Sequence, residues 1–142
     1  MLDGMEIRDV TSADIPAAVI LWSRVGLTRP WNPPETDLQR ALDGPTSTVL
    51  GAFDGERGLV GTAMVGHDGH RGWIYYLAVD SGHRSTGLGR QLMAAAETWL
   101  RAEGAVKVQL MIRSGNDAVL GFYDHLGYED SDVQVRSKWL DR

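Results

Sequence analysis

Cysteine is absent from the 142 residues of this chain. Its absence excludes disulfides, thiolate metal sites and a cysteine nucleophile. It fits a reducing compartment, and a cytoplasmic location is expected. No apolar run approaches the roughly 18 residues of a membrane span. The segment Met1–Val10 carries acids and lacks the apolar stretch of a secretory leader. Basic residues are in short supply too: 14 Lys and Arg stand against 19 Asp and Glu, a net charge of −5. Nucleic-acid binders carry a basic face, so neither a nucleic acid nor a membrane is an expected partner, and a cationic one suits the charge better. There is no repeat, low-complexity tract or linker, and residues 1–142 are expected to form one domain.

The elements are read from period and punctuation. Met5–Val10 is a strand candidate. Asp14 is the expected cap of a first helix, with Pro16 in its first turn, where a missing N–H does no harm. Three prolines in the five positions Pro30–Pro34 exclude a regular helix there. A short helix is expected over Glu35–Leu42, ending before Gly44. Thr48–Phe53 and Leu59–Val65 flank a hairpin turn at Asp54–Arg57. A second turn at Asp68-Gly69 leads to Trp73–Val79, an apolar strand read as central. The period then changes. Leu88, Leu92, Ala95, Ala96, Trp99 and Leu100 mark one face of a helix that Gly104 stops. Val106, Val108, Leu110 and Ile112 alternate with polar residues as a strand does. Asn116–Leu126 reads as a helix, and Val133, Val135 and Trp139 suggest a last strand. These elements make an α/β (α+β) fold, a mixed sheet with helices on both faces.

Between the apolar strand and its helix lies Arg84-Ser85-Thr86-Gly87-Leu88-Gly89-Arg90. A glycine loop entering a helix turns several backbone N–H groups toward one concavity, and the helix dipole adds partial positive charge. Gly87 and Gly89 remove side chains where an anion must come close. Arg84, Arg90, Ser85 and Thr86 can add charge and hydrogen bonds. The third glycine of a dinucleotide fingerprint is missing, and so is the lysine of a P-loop. Alone, the loop is an anion site of unspecified purpose, or a turn that uses glycine for its backbone angles.

The run Leu77-Ala78-Val79 followed by Arg84–Gly89, Leu92 and Leu100 resembles motif A of the GCN5-related N-acetyltransferases. Asn116, Gly121-Phe122-Tyr123 and Leu126-Gly127-Tyr128-Glu129 resemble that family's motif B. The likeness covers nearly the whole chain. It implies an acyl-CoA N-acyltransferase fold with a mostly antiparallel sheet of six to seven strands. It implies acetyl-CoA as the cofactor, held by Leu77, Ala78, Val79, Arg84, Ser85, Thr86, Gly87, Leu88, Gly89, Arg90, Asn116 and Phe122. It further implies direct acetyl transfer to a primary amine, on a small amine, an amino acid, or a protein N-terminus or lysine, by a monomer or homodimer. Tyr123 matches the tyrosine that faces the sulfur and is the expected general acid; a tyrosine packing an amphipathic helix on the sheet is the plain alternative.

Many members of that family carry a glutamate on the central strand, whereas Trp73–Val79 contains no acid. The general base is therefore open, with Asp68 and His70 as candidates. A non-catalytic acetyl-CoA sensor is the alternative function. Arg29, Trp31, Asn32, His70 and Tyr75 are the expected acceptor contacts. His67, Asp68 and His70 fall close together, but one turn rarely aims three ligands inward, and no metal is expected.

Overall fold

A computed structural model describes residues 4–142. The first three residues of Met1–Val10, the segment read as lacking a leader, lie outside the described residues. The chain divides into two compact units, Met1–Met111 and Ile112–Arg142.

The first unit holds one sheet of five strands in the order β1-β2-β3-β4-β5. They are β1 (Met5–Asp9), β2 (Ser47–Asp54), β3 (Gly58–His67), β4 (Gly72–Val79) and β5 (Val108–Gln109). The first three junctions are antiparallel and β4–β5 is parallel. The mixed, mostly antiparallel expectation therefore holds, with helices on both faces, but the count is five rather than six to seven.

Two shortfalls account for the difference. Of the alternating run Val106–Ile112, only Val108 and Gln109 are paired, against Gly72 and Trp73. In the second unit, Val133–Trp139 joins no ladder among the described residues. There the Asp132 N–H donates to Asp130 Oδ1, and Asp132 has a φ of 56°. This local turn competes with extended pairing. Val133 and Val135 stay 69% and 62% exposed, so their alternation covers nothing.

Helix α1 (Ile15–Arg24) starts after Asp14, as expected, with Pro16 in its first turn. The Asp14 carboxylate nonetheless reaches back to the Thr11 N–H at 2.9 Å, so a capping box forms one turn earlier. Helix α2 is Pro34–Asp43 and α3 is Leu88–Ala102. Ala18, Leu21 and Trp22 of α1 and Leu38 and Ala41 of α2 pack with Val49 and Ala78 on one sheet face. The other face receives α3. A Cβ on Gly61 would come within 2.8 Å of Leu92 Cδ1, and one on Gly72 within 2.6 Å of Leu100 Cδ1, so two glycines form the groove in which α3 sits.

β4 changes face partway along. Gly72 abuts Leu100 of α3, yet Ala78, also even-numbered, packs with Trp22 of α1. A regular strand would put both on one face. The register against β3 shifts between Thr62 and Met64, leaving one extra residue on β4. Tyr76 carries it with a φ of 51°, a left-handed backbone that costs a non-glycine residue roughly 1–2 kcal/mol.

A ring stack and three hydrogen bonds hold the bulge. The Trp22 ring stacks on Tyr76 with centroids 3.7 Å apart and planes within 2°. Trp22 Nε1 donates to Thr62 Oγ1 at 2.9 Å, and Thr62 Oγ1 donates to the Tyr76 carbonyl at 2.8 Å. The Tyr76 hydroxyl donates to Asp37 Oδ2 at 2.7 Å. An aromatic pair is worth about 0.5–1.5 kcal/mol beyond burial, and each hydrogen bond about 0.5–1.5 kcal/mol net, which together offset the strain. Thr62 is fully buried. Replacing it with valine orphans the Trp22 N–H, so Thr62→Val is expected to lower unfolding free energy by about 1–3 kcal/mol, read from the midpoint of urea unfolding.

Candidate functional site

The bulge redirects the backbone as well as the side chains. The Gly72 N–H donates to Lys107 O at 2.8 Å, toward β5, whereas the Asp80 N–H donates to Val60 O at 2.8 Å, toward β3. Counting by two from Asp80, the Ala78 N–H also faces β3, so those of Leu77 and Val79 face the opposite edge. β5 pairs only with Gly72 and Trp73. The N–H groups of Leu77 and Val79 therefore line an edge of β4 with no strand beside it among the described residues.

A second set of free donors follows. Asp80 caps a short 3₁₀ turn over Ser81–His83 through its carboxylate and the Gly82 N–H, 3.2 Å apart. Past that turn, no backbone carbonyl or side chain among the described residues accepts from the N–H groups of Ser85 through Arg90. Ser85 has a φ of 65° and Gly87 a φ of 87°, the left-handed turns that gather successive N–H groups into a nest. Leu88 is buried under the loop, while Arg84, Ser85, Thr86, Gly87 and Arg90 are exposed. A Cβ built on Gly87 would meet nothing within 4 Å, so the space above the nest is open. Nest, helix N-terminus and two exposed arginines fit a pyrophosphate, and the edge donors of β4 fit the amides of a pantetheine arm.

Behind the nest stands a cluster that sequence reasoning missed. His83 Nε2 lies 3.3 Å from Asp54 Oδ2, and its Nδ1 lies 3.6 Å from Asp80 Oδ2. The Thr86 hydroxyl donates to the His83 carbonyl. The Glu56 N–H first, and then His83, hold the Asp54 carboxyl below its ordinary range. The base of the loop is thus tied to the ends of both β2 and β4.

The expected acceptor residues divide into two groups. Asn32 Nδ2 donates to Asp37 Oδ2 at 2.7 Å and to the Tyr76 hydroxyl at 2.8 Å. Burial first, and then the Asp37 carboxylate, push the Tyr76 phenol far above its ordinary pKa, so it stays protonated. The Arg29 guanidinium is engaged by the carbonyls of Gly26 and Thr28. Trp31 stands half exposed. Tyr75 pairs with Met64, which packs beneath α1 and α2, so Tyr75 leaves the sheet on that same face. His70 and Asp68 are different. The Asp68 carboxylate closes its own turn, accepting from the His70 and Arg71 N–H groups at 2.8 and 2.7 Å. Those bonds hold its carboxyl low. His67 turns away to Glu103 at 3.3 Å. The three residues that look like a ligand set in sequence do not converge.

In the second unit, α4 (Asp117–His125) carries Phe122 and Tyr123. Asn116 occupies the N-cap position without a side-chain capping bond, so its amide is uncommitted to that role. Tyr123 is buried, edge-on to Phe122 and Tyr128 with ring centroids 5.0 and 5.7 Å away. Burial raises its phenol pKa above the ordinary value.

The family model described as Acetyltransferase (GNAT) family matches residues 17–128. A protein of Pectobacterium atrosepticum, Acetyltransferase ECA0875, is 43% identical over 137 residues, covering 96% of each chain. Among solved structures, aminoglycoside N-acetyltransferase AAC(6')-Iy in complex with a CoA bisubstrate analogue superposes with a TM-score of 0.82 at 16% identity, covering 95% of this chain and 97% of that one. Aminoglycoside acetyltransferase meta-AAC0020, from an uncultured soil metagenomic sample, gives 0.77 at 22% identity, covering 98% and 99%. Filling the open space over the nest should block an anion there. Gly87→Val is expected to weaken acetyl-CoA binding at least tenfold by calorimetry, while the left-handed φ costs stability only about 1–2 kcal/mol.

Proposed function

We propose, from the premise that this chain belongs to the acetyltransferase (GNAT) family, that it passes the acetyl group directly to a primary amine with Tyr123 as general acid. The enzyme is an N-acetyltransferase and its donor is acetyl-CoA. In this reading residues 1–142 work as one domain, and the acceptor is a small amine, an amino acid, or a protein N-terminus or lysine. The observation that carries it is the pair of unpartnered N–H runs, on the β4 edge and in the nest. Two of the similar structures are aminoglycoside acetyltransferases, which supports a small-amine acceptor.

When bound, acetyl-CoA supplies an acetyl group activated as a thioester. The Ser85–Arg90 N–H groups, with Arg84 and Arg90, hold its diphosphate. Leu77 and Val79 would donate along the pantetheine arm, and one of these N–H groups would stabilise the negative charge that grows on the thioester oxygen. Such a preorganised donor is worth about 2.7–4 kcal/mol of barrier in comparable sites. Ala78 and Leu88 are buried behind these donors, and Phe122 and the Asn116 amide would contact the cofactor. Tyr123 Oη keeps its proton through neutral pH and gives it to the departing sulfur.

The sensor reading rests on the missing strand acid and is tested by the same assay. A screen of primary amines that reads CoA thiol release is expected to find turnover; tight acetyl-CoA binding without release from any amine favours the sensor. Tyr123→Phe is expected to lower kcat by about 10²–10⁴ with acetyl-CoA affinity unchanged. The acid form is the active one and its pKa is raised, so the wild-type rate holds through neutrality and falls only above the ordinary phenol range. That alkaline limb should vanish in the phenylalanine variant.

A further inference from the structure

The chemistry lacks one group. An amine acceptor arrives as an ammonium ion at neutral pH and must lose protons before and during attack, yet β4 carries no acid. The structure brings a carboxylate to β4 from another element. Asp37, in the first turns of α2, is partly buried, and its Oδ2 accepts from both the Tyr76 hydroxyl and Asn32 Nδ2. Both bonds fall on one oxygen. Oδ1 accepts from no other protein group among the described residues.

Tyr76 is the bulge residue itself, next to Leu77, whose N–H faces the open edge. Tyr75, 42% exposed, extends from the same sheet face. The exposed Tyr75 ring offers its π-face to a cation, whereas one face of Tyr76 is covered by Trp22. Arg29, whose charge acts on the Tyr76 phenol, is held by two backbone carbonyls. Around Asp37, β4 contributes Tyr76, the loop contributes Arg29, α1 has a single ionisable residue, the exposed Arg24, α2 itself adds Glu35, Arg40 and Asp43, and β2 ends in Asp54.

We propose that Asp37 is the carboxylate that receives the acceptor's ammonium group and takes its proton, which makes the acceptor a cationic primary amine. This rests on amine acetylation as read above. The nitrogen enters as R–NH3+ and leaves as an amide N–H, so it gives up two protons. Asp37 Oδ1 takes each in turn and passes it to water. The C–N bond forms as the C–S bond breaks, and the sulfur gains its proton from Tyr123, which is refilled from water, so one proton is released overall. Asn32 and the Tyr76 hydroxyl are positioning groups: they fix Oδ2 so that Oδ1 is the free acceptor.

The test uses the full chain and the amine with the highest kcat/KM among neamine, spermidine and a lysine peptide. Asp37→Asn keeps an acceptor for Tyr76 and removes the charge. At neutral pH it is expected to lower kcat/KM for the amine by about 10²-fold, with acetyl-CoA affinity by calorimetry unchanged. Binding of the amine to enzyme without acetyl-CoA should weaken at least tenfold. The deficit should shrink as the pH approaches the amine's own pKa, because a neutral amine needs no first deprotonation. Tyr76→Phe, which removes the anchor and one bond at the bulge but keeps the ring stacked on Trp22, should lower kcat/KM several-fold with a smaller effect on acetyl-CoA affinity. Turnover and amine affinity within threefold of wild type in Asp37→Asn would overturn the role of Asp37 while leaving amine acetylation standing. If Asp37→Asn does not fold, an unchanged kcat/KM in Tyr76→Phe would overturn it instead. If the wild type acetylates none of the three amines, the acetylation reading fails and the Asp37 role fails with it.

Discussion

The stack of Trp22 on Tyr76 is the contact on which the rest of the first unit depends. It holds a tyrosine in a left-handed backbone conformation in the middle of a strand. Without that extra residue β4 would keep one alternation from Gly72 to Asp80. The N–H groups of Leu77 and Val79 would then face β3, and Ala78 would leave the core under α1. With it, one strand serves two purposes: its first half is a ladder rung between β3 and β5, and its second half presents free donors. Strain stored at a functional position persists only when neighbours over-determine it. Here the neighbours are a full ring stack, a buried threonine relay and a carboxylate.

An acidic protein that grips a polyanion needs a source of positive potential other than net charge. With a charge of −5, this chain offers backbone dipoles and the exposed Arg84 and Arg90 for that work. Among the described residues, six consecutive N–H groups from Ser85 to Arg90 have no close protein acceptor, and such oriented amides carry partial positive charge that no pH change removes. The acids are placed elsewhere. Asp54 and Asp80 brace His83 beneath the loop, Asp68 closes a turn, and Asp37 sits against Tyr76.

Features with a local cause were legible in the sequence. The apolar run before the glycines, the helical stripe from Leu88 to Leu100, and the hairpin at Asp54–Arg57 depend on neighbours a few residues apart, and all are present. Met93 is buried though the stripe omitted it. The bulge was not legible. Nothing in Ile74-Tyr75-Tyr76-Leu77 marks Tyr76 for a left-handed φ; the cause lies in Trp22, Thr62 and Asp37, distant along the chain. For the same reason Asn32 could be singled out from its loop while Asp37 looked like any acid on a helix. Alternation misled at Val133–Trp139 because it shows that one face is apolar and says nothing of a partner edge. His67 misled because spacing within a turn does not reveal that the ring faces Glu103 on α3's C-terminal flank.

Amide hydrogen exchange resolved residue by residue tests the central claim most directly. In the free protein the Leu77 and Val79 amides should exchange orders of magnitude faster than Ala78 and Asp80, whose N–H groups face β3, and Ser85–Arg90 should exchange as fast. Adding acetyl-CoA should protect Leu77, Val79 and the loop together. Leu77 and Val79 amides already as protected as Ala78 in the free protein, or unmoved by acetyl-CoA, would contradict the account.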